Sequence, residues 1–569
     1  MEEGRRGRRA GALPALVAAA ACGGSGEGRP AAATLPPPAA ARPGCGTEAG
    51  SAPAFVALSR YRAQVGGPST AAPPDRDEAH VAILHDRGDL VVRRNPFDLD
   101  GAALRFAPNR AGGYDVAPIG LPLEEPGLPL GVETGGARPV DLPFRFFLFG
   151  TAADRVFVNA DGCLTLGEPD PGPGERGLGR FLGGPPRIAP FFASLDPSRG
   201  GAIAARVLAD RATFTWSAVP GAGQVNRNTF QATLHAGGAI DFVYGEEAET
   251  REAVVGVSPG RTLAVTAADL SAGRPGDSPG ALAERFSETE KADLVSVSRR
   301  FLAGRPDVFE QLVVYTTRPL NPVPGTLAFE VNTRNDVGGI GLPPGLDETA
   351  AWGSAGALAS VVYMDEVDPY LEVDGFEILG HEVGHRWLAR LAFRDAAGRA
   401  SDALLGRGLV HWSFFLDSDA SVMEGNRILD RGGGRFETVE IAEGFSDLDQ
   451  YAMGLRGPGE VAPFFYVAEP DHFQPSRAFK LSSTPEVGVS FTGVRRDVRI
   501  EDVVAAMGPR LPEAGRAPTL IRQAFVLVAD AVAPASPERV RAVARIRSRF
   551  GPWYREATDG RGTAESTLP

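Results

Sequence analysis

Three cysteines in 569 residues allow one disulfide at most, so no covalent framework holds this chain together. No apolar run reaches the roughly 20 residues that a membrane-crossing helix needs. No segment recurs at a period of about 20–50 residues, which excludes solenoids and propellers. Charge is not gathered either. The net value of -13 is spread without long acidic or basic runs, which argues against nucleic acid as a partner. Lysine is scarce beside arginine, a bias of overall composition. Histidine is the most telling scarcity: there are seven, and three fall between positions 381 and 411. Glycine and proline, by contrast, number 71 and 48, which favours a loop-rich, β-containing extracellular protein over a helical bundle. The length leaves room for about three or four domains.

Residues 1–22 read as an export signal. Arg5, Arg6, Arg8 and Arg9 form a basic leader, and an apolar run follows from Ala10 through Leu13, Leu16 and Val17 to Ala21. The run is too short to span a bilayer, so a cleaved signal is expected rather than an anchor. It ends in Ala19-Ala20-Ala21-Cys22-Gly23-Gly24, which resembles the lipobox of bacterial lipoproteins, with Ala19 where Leu is usual. The resemblance implies a lipid on Cys22, membrane attachment through that lipid only, and an outer-membrane or cell-surface location. Ordinary signal cleavage nearby, giving a secreted chain, is the alternative. Removing Cys22 from the count leaves Cys45 and Cys163 as a pair for an oxidising compartment. Residues 23–52 hold few large apolar groups and read as a tether.

The fold class expected is multidomain: an all-β sandwich followed by an α+β catalytic domain. Residues 53–114 read as a small β lead-in, with Val81–Leu84 and Leu90–Val92 as strands about the turn Asp86–Asp89. Residues 115–260 carry period-two alternation with frequent turns, the pattern of two packed antiparallel sheets. Val156 and Val158 lead to Asp161-Gly162, and Leu164 and Leu166 return. Phe214 and Trp216 mark another strand. Phe230, Ala232 and Leu234 run to Gly237-Gly238, and Ile240, Phe242 and Tyr244 come back; His235 beside that turn reads as a surface residue. Leu142-Pro143-Phe144 through Phe149-Gly150, Val158–Gly162, Ile188–Phe192 and Leu195-Asp196-Pro197 resemble the nidogen-type extracellular domain. That implies a binding or spacing module and names no ligand. A linker is expected at 261–284.

Residues 285–560 read as the α+β part. Ser287-Glu288-Thr289-Glu290 looks like a capping box opening a helix that ends at Gly304. Leu312–Tyr315 and Ser360–Met364 read as buried strands, and Ser536-Pro537 starts a helix stopped at Gly551-Pro552. Between these lies His381-Glu382-Val383-Gly384-His385, in a segment expected to be helical from Phe376 to about Phe393. Two His four apart share a helix face, so both can grip one Zn²⁺. Glu382 then lies where it can take a proton from a water that the metal acidifies. The motif, with a helix and strands before it, resembles the zincin metallopeptidases. The resemblance implies an endopeptidase, with zinc as cofactor and a protein or peptide as substrate.

A catalytic zinc takes three protein ligands. The compact metzincin pattern would need Gly at 388 and His at 391, where this chain has Leu388 and Leu391. One alternative is His411, followed by Ser421-Val422-Met423-Glu424-Gly425. That sequence resembles the methionine turn of metzincins, with a long insertion as in leishmanolysin-like peptidases; a histidine merely packed on Trp412 is the competing reading. The other is a carboxylate. Glu443-x-x-Ser446-Asp447 resembles the third-ligand motif of thermolysin-like gluzincins, with Ala442 where Asn is usual, and Asp449 lies beyond it. Tyr451 is either an oxyanion donor or a core tyrosine, and Trp387 or Trp412 could wall an apolar cleft or sit in the core. The rival class is a surface-binding lipoprotein whose sandwich does the work and whose zinc site is structural or vestigial.

Overall fold

The computed structural model describes residues 73–171, 176–273, 278–320, 327–442 and 444–569. The signal segment with Cys22, the tether, Cys45 and Glu443 lie outside the described residues. The described chain is rich in β structure, arranged in several sheets. No helix among the described residues is long and apolar enough to cross a membrane.

Two seven-stranded sheets face one another to form a β-sandwich. One runs in the order 265–267, 281–287, 252–258, 187–192, 163–166, 151–159 and 137–148. The other runs 114–118, 103–108, 240–244, 228–235, 211–219, 202–207 and 128–129. The alternating side chains meet between them: Phe146, Val158, Leu164 and Phe191 from one face, Phe214, Trp216, Phe230 and Phe242 from the other. Phe191 stacks on Phe230 across the gap at 4.9 Å between ring centres, and Trp216 Nε1 donates across it to the Asn159 carbonyl at 3.2 Å. The two expected hairpins are present in register, Val158 opposite Leu164 and Ala232 opposite Phe242. His235 is part-exposed and lies 2.7 Å from Asp241. Cys163 is fully buried with its Sγ 3.0 Å from Arg187.

A second region is built on another seven-stranded sheet, ordered 76–78, 81–85, 520–529, 311–316, 360–366, 329–332, with 563–565 pairing beside 520–529. Its four central strands are parallel. They are near-continuous apolar runs because both faces are covered. The helix Leu294–Leu302 packs on one face against Leu312, Val314, Val361 and Val526. The helices Phe376–Gly384 and Pro537–Ala557 cover the other, against Val313, Tyr315, Val362 and Phe525. The strand Phe329–Asn332 is antiparallel to its neighbour and ends the sheet order among the described residues. A smaller four-stranded sheet, 426–432, 435–441, 490–498 and 464–474, closes on Phe415, Phe436, Phe465 and Phe491.

The elements depart from expectation in several places. The expected lead-in 53–114 divides: Val81–His85 joins the parallel sheet beside residues 520–529, while Ala103–Pro108 joins the sandwich. The expected linker 261–284 holds strand Val265–Ala267 and the start of Ala281–Ser287, both in the sandwich. Ser287 therefore ends a strand. The following helix is capped by Asp293, whose carboxylate accepts the Ser296 N–H at 2.9 Å. The C-terminal helix runs through Pro552 to Ala557, because burial of Phe550 and Tyr554 outweighs the one N–H that proline removes.

Candidate metal centre

The motif helix is shorter than its sequence suggests, Phe376–Gly384, with His385 as C-cap. Its end is fixed by Arg390, whose guanidinium donates to the carbonyls of His385 at 3.0 Å and Leu388 at 2.6 Å. Two glycines set how closely the helix is packed. A Cβ at Gly380 would lie 2.1 Å from the Trp553 ring, and one at Gly384 would lie 2.7 Å from Met423 Sδ. The Gly384 contact seats Met423, fully buried, directly under the turn that carries His385.

The ligand atoms of His381, His385 and His411 all lie within 4.8 Å of one another, close enough to bind a metal ion. His381 Nε2 and His385 Nε2 are 3.1 Å apart, and the His411 ring centre is 5.0 Å from each of the other two. Each imidazole is turned by a backbone carbonyl. His381 Nδ1 donates to Val422 at 2.9 Å, His385 Nδ1 to Leu388 at 3.3 Å and His411 Nδ1 to Arg407 at 2.6 Å. A carbonyl can only accept, so the proton belongs on Nδ1 and the lone pair on Nε2 in all three. Burial, first among the causes, lowers the pKa of each, pushing His411 down to about 3. Three neutral imidazoles with convergent lone pairs are the donor chemistry that suits a borderline divalent metal.

Glu382, 7 % exposed, sits between the two histidines of the motif helix. Burial and then the charge of Glu330 push it up to about 8, and a divalent cation held by the histidines would favour its ionised, proton-accepting form. Glu330 lies on the strand Phe329–Asn332, and its Oε2 accepts Asn332 Nδ2 at 3.1 Å. Glu330 and Asn332 share the face turned toward the motif helix, where Asn332 Nδ2 also reaches the His385 carbonyl at 3.4 Å.

The other candidates fall elsewhere. Asp449 is fully buried with both oxygens occupied: one accepts Trp412 Nε1 at 2.8 Å, the other Ser446 N and Oγ at 2.8 and 2.9 Å. It is the capping-box acid of helix Asp447–Met453 and stands outside the group of three histidines. Through Trp412 it fastens the residue next to His411. Tyr451 is a core residue whose hydroxyl accepts the Arg510 N–H at 3.2 Å, so it faces Arg510 rather than the histidines. Trp412 is core as well, 1 % exposed, while Trp387 is half-buried beside Arg386. The sequence reading passed over Arg407, Glu424 and Glu330. Arg407 precedes His411 by four residues and Glu424 follows Met423, while the Phe-Glu-Val-Asn alternation at 329–332 was the one signal for Glu330.

No family model, curated protein or solved structure matches this chain. The geometry of the site therefore carries the functional argument alone.

Proposed function

We propose that the chain is a zinc-dependent endopeptidase. The observation that carries the reading is the meeting of three carbonyl-oriented imidazoles with the buried carboxyl of Glu382. A structural site would be closed by a fourth ligand and would have no use for that carboxyl. Zinc held by His381, His385 and His411 would supply a Lewis acid that acidifies water and polarises a carbonyl. Glu382 takes the proton of the attacking water and returns it to the leaving amine. The outer edge of Phe329–Asn332, unpaired among the described residues, offers backbone N–H and C=O groups to an extended peptide, and a peptide laid there as an added strand would pass beside Glu382. The sandwich serves as a binding or spacing module. The Cys22 lipid would tether the chain at a membrane surface, which mass spectrometry of the mature N-terminus tests directly.

The deciding experiment measures bound zinc and casein hydrolysis in wild type and Glu382→Gln. The expected result is one zinc in both and a fall in activity of about 10³-fold or more in the variant. A wild type without zinc, or a Gln variant that cleaves as well as wild type, overturns the proposal. A wild type that holds zinc and cleaves no peptide would favour the surface-binding reading.

A further inference from the structure

Peptide hydrolysis places negative charge on the former carbonyl oxygen, and the site needs a donor for it. Tyr451 is turned away. Arg407 is not. Its Nη2 lies 3.0 Å from His411 Nε2, the nitrogen whose lone pair faces the other two histidines. Its own carbonyl holds the opposite nitrogen of the same ring at 2.6 Å. Arg407 thus wraps the third histidine, main chain on one side and guanidinium on the other.

The guanidinium is aimed by Glu424. Arg407 Nε donates to both Glu424 oxygens at 3.1 and 3.2 Å, and Nη2 also bonds Glu424. Glu424 follows the buried Met423, so the anchor belongs to the turn beneath the motif helix. The Glu424 side chain is 15 % exposed and that of Arg407 is 54 % exposed: a fixed carboxylate carries a donor that a substrate can reach. A guanidinium beside a divalent metal is repelled by it. Glu424 offsets part of that repulsion, and the negative charge of an oxyanion accepting from Arg407 would offset more. That relief exists only while the tetrahedral species does, so it lowers the barrier rather than merely tightening binding.

We infer that Arg407 is the oxyanion donor of this site, a catalytic residue alongside Glu382. The inference rests on the peptidase reading above. In the addition step the water oxygen bonds to the carbonyl carbon. The C=O π pair moves onto the oxygen, which accepts an Arg407 N–H, and the water proton passes to Glu382. In the collapse step the pair re-forms C=O, the C–N bond breaks, and the proton on Glu382 goes to the amine.

The test uses full-length Arg407→Gln and Arg407→Lys. Zinc affinity is measured with zinc alone against a chromophoric chelator, and casein hydrolysis at limiting and saturating substrate. The expected result is zinc affinity equal to wild type or tighter, since no side chain then competes for His411 Nε2. The Gln variant should lose about 10²-fold in kcat with little change in KM, and the Lys variant should recover part of it. A Gln variant that holds zinc and keeps kcat within about twofold overturns the inference and leaves the peptidase reading standing. Loss of zinc in both variants also overturns it, making Arg407 a residue that positions His411. A wild type that binds no zinc or cleaves no casein brings down the peptidase reading, and the inference with it.

Discussion

The sandwich and the parallel-sheet region both bury polar side chains, and the histidine cluster of the second does with them the opposite of what the sandwich does. In the sandwich, buried threonine, glutamine and asparagine side chains are matched to neighbours across the strands. Thr213 and Thr233 hydroxyls lie 3.0 Å apart, Gln231 Nε2 donates to Thr215 at 2.9 Å, and Asn95 Nδ2 donates to Glu284 at 2.9 Å. Donor meets acceptor, and the interior is neutralised. In the second region His381 and His385 turn two acceptor nitrogens toward each other at 3.1 Å. Two facing lone pairs repel unless a cation lies between them, so this arrangement is organised for something other than the core itself. Among the described residues, no other cluster of His, Cys, Asp and Glu forms a metal-type group. Polar burial marks a working site when the lone pairs converge, and only a stable core when they pair.

The sharpest way to break this contrast is to damage each region once. His411→Ala should abolish zinc binding and hydrolysis while changing thermal stability of the zinc-free protein little. Glu443→Ala should retain zinc near wild-type affinity. Trp216→Ala, in the middle of the sandwich, should do the reverse: it should cost about 3–5 kcal/mol of stability and leave zinc affinity unchanged. Calorimetry and zinc titration of the three proteins check this. Zinc retained in His411→Ala, or lost only in Glu443→Ala, would move the third ligand to the carboxylate.

A smaller effect is expected one layer out. Asp449 fastens Trp412, the residue after His411, and caps the helix Asp447–Met453. Asn in its place keeps the shape but turns an NH₂ toward Ser446 N or Trp412 Nε1, both of which are donors. Asp449→Asn should therefore weaken zinc by about 10–100-fold, and saturating zinc should restore most of the activity. An unchanged zinc affinity would show that Trp412 does not set the position of His411.

What the sequence made legible follows the same division. Alternation at Val156–Leu166 and Phe230–Tyr244 revealed hairpins because antiparallel partners are close in sequence, so the pattern and the turn carry the register. A parallel sheet has no such local sign. Nothing in Val81–His85 announces that its neighbour is Leu520–Ala529, and the small lead-in expected there dissolved for that reason. At the site, His381, Glu382 and His385 were legible because helical spacing is local. His411 was reached from the scarcity of histidine, yet the roles of Asp449 and Tyr451 were not. A carboxylate in an acidic run can ligate or cap, and only the donors around it decide; here they are Ser446 and Trp412. The end of the motif helix was missed because Arg390, five residues on, folds back to cap it.

The smallest expected effect lies where the chain passes between the two regions. Asp530, just after strand Leu520–Ala529, accepts Arg93 at 2.6 and 3.0 Å and Arg318 Nε at 2.7 Å. Arg93 lies on the passage into the sandwich. Arg318 also reaches Glu290, just past the last sandwich strand, at 2.6 Å. Burial alone would raise the Asp530 carboxyl, but the bonds and charge of Arg93, with help from Arg318, hold it at about 2. Its folded pKa is thus below its unfolded value of roughly 4. The unfolded chain binds the proton first as pH falls. The stability contributed by this carboxylate is full above about pH 4 and is lost as pH falls through about 2. Asp530→Asn should melt lower than wild type at pH 7, and the gap should close as both are titrated across that window. Thermal melts at intervals from pH 7 to 2 measure it. A gap that stays constant to pH 2 would mean that shape rather than charge holds the joint, and that the two regions meet through packing alone.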